Sequence, residues 1–128
     1  MIKVGFITTP LASGHAIRGV GFYTQNLLQS LKSQAGKLGF EIHQISSPSS
    51  GFDLIHYPFF DLFIHTLPIR KSAKTIVTIH DVIPLEFPKQ YPPGNKGTIN
   101  QQLQKLALNN SNGVITDSYA SVNSIHLY

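Results

Sequence analysis

The apolar run at 75–79 stops at the pair His80-Asp81, and the chain then turns at Pro84. An imidazole and a carboxylate at a strand's carboxyl end can orient a ligand or hold a proton beside it, and in open α/β sheets that edge is where ligands bind. A second feature is Arg18-Gly19-Val20-Gly21-Phe22-Tyr23-Thr24, which opens a helix soon after the first strand. Its glycines let backbone N–H groups approach an anion, and a helix N-terminus adds a favourable dipole. Thr24 stands where a dinucleotide fingerprint has its third glycine, and no Gly-Lys-Ser/Thr follows, so neither that fingerprint nor a Walker loop is present. Taken alone, a Gly-x-Gly is more often a structural helix start, and a strand-end histidine is more often structural than catalytic.

Other chemistries find few residues to carry them. His15, His43, His56, His65, His80 and His126 are scattered without a metal-ligand spacing, and the chain has no cysteine, so neither a metal site nor a disulfide is expected. There is no Gly-x-Ser-x-Gly elbow for acyl transfer. The carboxylates available for glycoside hydrolysis are only Asp53, Asp61, Asp81, Asp117, Glu41 and Glu86. The net charge is +4, and its densest basic patch is Arg70, Lys71 and Lys74. No aromatic residues interleave with it as in single-strand binders, so no nucleic-acid partner is expected. An anionic small ligand or an anionic membrane surface stays open beside a bland basic surface.

The elements that must position these residues read as alternating strands and helices. Strands are expected at 2–8, 40–45, 53–57, 74–80 and 113–116. A helix from Gly21 has its apolar side at Val20, Thr24, Leu27, Leu28, Leu31, Ala35 and Leu38, with Gly36 and Gly39 as stop signals. A second helix at 98–109 is expected to bury Ile99, Leu103, Leu106 and Ala107. Residues 11–18 and 81–94 read as loops, and 61–65 as a short helix. The aromatic stretch from Tyr57 to Phe63 reads as core, with a membrane or acceptor contact as the alternative. Such alternation gives a parallel α/β sheet. Only residues 46–52 separate the second and third strands, roughly 23 Å when extended, so that crossover is expected to contain no helix. The chain of 128 residues reads as one domain. The last helix, starting at Asp117 or Ser118, has no stop signal, so the chain is expected to belong to a larger protein. No signal-peptide layout or membrane span is seen, and a cytoplasmic location is expected.

Four stretches in order are similar to family 4 (group 1) glycosyltransferases. Gly19-Val20-Gly21-Phe22-Tyr23-Thr24-Gln25-Asn26-Leu27-Leu28 resembles their GIGRYTxNLL helix start, and Asp53-Leu54-Ile55-His56 resembles their DLVH strand. Thr78-Ile79-His80-Asp81-Val82-Ile83-Pro84 resembles TVHDxxP, and Gly113-Val114-Ile115-Thr116-Asp117-Ser118-Tyr119-Ala120-Ser121 resembles xVITVSEAS. The resemblance implies a GT-B architecture of two Rossmann-like domains. Residues 1–128 would be the N-terminal, acceptor-side domain, incomplete, with sheet order 2-1-3-4-5. The C-terminal domain, which binds the nucleotide-sugar and carries an E-x7-E motif, would be missing.

The implied activity is retaining transfer of a sugar from a nucleotide-sugar to a glycan, lipid or other acceptor, without a metal or other cofactor. Beside the expected cytoplasmic location, the inner membrane face and a peripheral membrane contact stay open. Gly19, Val20 and Gly21 match the segment facing the donor diphosphate. His80 matches the histidine near the reacting sugar centre, and Asp81 would orient that region. Ser118 matches a cleft-edge serine, and His15 and Tyr57 join it as cleft or acceptor residues. Phe22 replaces the family's arginine and Tyr119 its glutamate, each with loss of a charge. The chain alone is expected to be inactive, since one wall of the cleft is missing. The rival readings are a non-catalytic flavodoxin-like binding module and another GT-B enzyme such as a sugar-nucleotide epimerase.

Overall fold

The computed structural model describes residues 1–12, 19–60, 66–80, 89 and 94–116. In chain order these form β1 (Ile2–Ile7), α1 (Thr9–Ala12), α2 (Gly19–Leu38), β2 (Phe40–Ile45), β3 (Leu54–Tyr57), β4 (Lys74–Thr78), α3 (Gly94–Asn109) and β5 (Gly113–Ile115). The five strands make one all-parallel sheet in the order β2-β1-β3-β4-β5, a Rossmann-like α/β arrangement. No helix among the described residues is long and apolar enough to cross a membrane. The expected helix at 61–65, most of the proline-rich loop after His80 and the helix from Asp117 or Ser118 lie outside the described residues.

Side chains alternate between two faces of the sheet. The register sets Phe6 beside His56 and His56 beside Ile76. Thr78, two residues further along, shares their face. Helix α2 covers this side through buried Gly21, Thr24, Leu28 and Ala35. It begins at Gly19, two residues before its expected start, and runs through Gly36. It ends before Gly39, whose φ of 80° suits the left-handed turn that closes helices. The opposite face carries the main core, with Ile7, Ile55, Tyr57, Val77 and Ile79 packed with Phe60, Leu67 and Ala107.

The crossover from β2 to β3 holds no helix, as its length requires. Its own side chains cover the sheet instead. A Cβ added at Gly5 would lie 2.8 Å from Ile45 Cδ1 and 3.2 Å from Phe52 Cγ, so the smallest residue makes room for the crossover to press on β1. Asp53 ends the crossover by clasping β1. Its Oδ2 accepts from Lys3 N at 2.8 Å, and its own N–H donates to Lys3 O at 2.9 Å. Asn112 clasps β4 in the same way, accepting from Thr75 N at 2.9 Å and donating to Thr75 O at 2.8 Å.

Helix α3 departs from expectation on two counts. It starts at Gly94 rather than 98, and its buried side is not the apolar one. Ala107 is fully buried as expected, but Ile99 is 62 % exposed, Leu106 49 % and Leu103 38 %, and Gln104 is fully buried in their stead. The reason is the neighbouring segment at 66–67, whose backbone needs partners. Gln104 Oε1 accepts from Thr66 N at 3.0 Å, Thr66 Oγ1 at 2.9 Å and Leu67 N at 2.9 Å, and its Nε2 donates to Leu67 O at 2.9 Å. Lys71 closes the same corner. Its ammonium donates to Ala107 O at 2.9 Å, to Ile69 O at 3.3 Å and to Pro68 O, and burial lowers its pKa.

Candidate functional site at the carboxyl edge of the sheet

The carboxyl edge of the sheet gathers side chains from β3, β4 and the first turn of α2. His80 lies just past β4 and is partly buried. Its Nε2 lies 3.2 Å from Pro58 O, an acceptor, so Nε2 carries a proton and donates it there. The imidazole meets Tyr23 edge to face, with centroids 4.8 Å apart and planes at 89°. The Tyr23 hydroxyl shares a hydrogen bond of 3.1 Å with Thr78 Oγ1, and Thr78 Oγ1 shares another of 2.9 Å with His56 Nε2. His56 in turn packs against Phe6, centroids 5.4 Å apart. A polar chain thus runs from the sheet interior to the ring that touches His80.

His56 is 6 % exposed, and burial lowers its pKa from 6.5 to about 4. It is therefore neutral at pH 7, with one ring nitrogen a donor and the other an acceptor. Unfolded, the same imidazole titrates near 6.5, so between about pH 6.5 and 4 the unfolded chain binds the extra proton. Its contribution to stability is complete above pH 6.5 and is lost as pH falls towards 4. The loss amounts to about 3 kcal/mol. Denaturant titrations at pH 7 and pH 4.5 should show this acid weakening, and His56→Gln, which cannot titrate, should flatten it. Equal pH dependence in both proteins would remove His56 as its source.

Gly19, Val20 and Gly21 form the first turn of α2, which contains no acidic residue to occupy the dipole's positive end. Gly19 is exposed, and a Cβ built on it meets nothing within 4 Å; Gly21 is buried. Thr24 bonds back to Val20 O at 2.7 Å within this turn. Comparison of the chain with protein-family models, with curated proteins and with solved structures finds no match.

Of the residues expected at the site, the structure thus brings together the Gly19–Gly21 turn and His80, through Tyr23. Tyr57 is not with them. It is 4 % exposed in the core on the α3 side, and burial raises its phenol pKa. Asp81, His15 and Ser118 lie outside the described residues. Sequence reasoning passed over two contributors, His56 and Tyr23. A histidine flanked by Ile55 and Tyr57 in a short apolar strand is a signal of burial, and burial demands a polar partner. Tyr23 sits one turn into a helix and carries no comparable signal.

Proposed function

We propose that the chain is the acceptor-side Rossmann-like domain of a family 4-like retaining glycosyltransferase. The observation that carries this reading is the meeting of two separate motif segments, the Gly19–Gly21 helix start and the strand-end His80, through the 4.8 Å contact of Tyr23 with His80. The sheet order β2-β1-β3-β4-β5 supports it. In such a transfer, oxocarbenium and diphosphate charge develop together, and preorganised dipoles answer that charge without reorganising. The N–H groups of the first turn of α2 would face the leaving diphosphate, and His80 would face the sugar. Donor recognition would need a second domain.

The experiment is a titration of the chain with a nucleoside diphosphate, followed by amide NMR. Signals of Gly19, Val20, Gly21 and His80 should move together at weak, millimolar affinity. Gly19→Ala should weaken binding by about tenfold, an amount set by losing one close backbone approach to an anion. Its folding should be unchanged, because the added methyl meets open space. Shifts confined to surface lysines would refute the assignment.

A further inference from the structure

We infer that Tyr23 is the positioning residue for His80, held in place by the buried chain through Thr78 to His56. Two of its contacts hold the imidazole from different sides. The bond from Nε2 to Pro58 O fixes one nitrogen, and the perpendicular Tyr23 ring fixes rotation about that bond. Tyr23 cannot drift, because its hydroxyl is tied to Thr78 Oγ1, which is tied to His56 Nε2 inside the sheet. An aliphatic side chain would fill the same volume without a fixed orientation.

The arrangement also couples two parts of the edge. Tyr23 lies one turn from Gly19, so the helix end that presents the Gly19–Gly21 amides also sets the imidazole. Only this consequence for catalysis rests on the transferase reading; the positioning stands on the geometry alone.

The test is side-chain ¹⁵N NMR of the 128-residue chain, with the His80 signals identified by their loss in His80→Ala. Recorded at alkaline pH, the native protein should show one protonated-type and one unprotonated-type nitrogen, the signature of a single tautomer. Tyr23→Phe keeps the ring and removes its anchor, so the two shifts should move towards each other as tautomers begin to exchange. Tyr23→Leu, which removes the ring as well, should bring them closer together still. Backbone amide spectra report whether each variant is folded. Unchanged His80 nitrogens in Tyr23→Phe, the conservative variant, overturn the proposal whatever Tyr23→Leu does. Converging nitrogens together with no diphosphate-induced shifts at Gly19–Gly21 would leave the positioning role standing and remove the transferase reading.

Discussion

Gln104→Leu should destabilise the chain by about 4 kcal/mol, although leucine is apolar and close in volume. The buried amide serves four hydrogen bonds to Thr66 and Leu67. Leucine would take away the partner of the buried Leu67 N–H and of the Leu67 carbonyl, and one acceptor from the half-buried Thr66. Each orphaned group costs roughly 1–3 kcal/mol. Gln104→Glu supplies a sharper form of the experiment. As a carboxylate it still accepts from the two N–H groups, but it repels Leu67 O and carries a buried charge, which raises its pKa. Protonated, it can donate to Leu67 O. The glutamate variant should therefore regain stability relative to wild type as pH falls, while the leucine variant should not. Chemical denaturation at two pH values measures both, and a leucine variant within 1 kcal/mol of wild type, on the order of one ordinary hydrogen bond, would show that the amide network is dispensable.

His80→Ala is expected to act on turnover instead. In a protein that joins this chain to a donor-binding domain, kcat should fall by roughly 10²-fold, the usual loss when one preorganised electrostatic contact is removed. KM should change little, because the contact strengthens as charge develops and contributes little to ground-state binding. Thermal stability should drop only slightly, since His80 is partly exposed at the edge of the sheet. A histidine that merely packs would give the reverse pattern, a lower Tm with normal turnover of the folded fraction. Measuring both quantities on one preparation separates the two, and an unchanged kcat would take His80 out of the site.

Much of this fold is legible along the chain, because its signals are local. Residues 46–52 are too few for a helix, and the connection indeed crosses without one. Gly39 stands where α2 must stop. On the inner face of α3 spacing points correctly to Ala107 but not to Gln104, because hydrophobic spacing assigns burial by residue type and Gln104 looks like a surface residue. What buries it is a set of backbone groups at 66–67, close only once the chain has folded. The candidate site divides in the same way. His80 and the Gly19–Gly21 turn announce themselves by neighbours in sequence. His56 and Tyr23 acquire their roles across the sheet, through Thr78, and no spacing rule reaches that far.

The helix-free crossover has a kinetic meaning. β1 and β2 are joined through α2, and β4 and β5 through α3. Each pair can form as a βαβ unit from contacts near in sequence, with β3 aligning on β4. The seam between β1 and β3 joins the strands whose paired residues lie farthest apart in sequence, Val4 with Leu54, Gly5 with Ile55 and Phe6 with His56. Contacts that close long loops form late, so this seam is where the two units dock. Tyr23 belongs to the first unit; Thr78, His56 and His80 belong to the second. The site therefore does not exist in either unit alone and should come into being only when the two units dock. A ligand that holds both sides of it would act as a clamp on the seam, slowing unfolding of the chain more than it speeds folding.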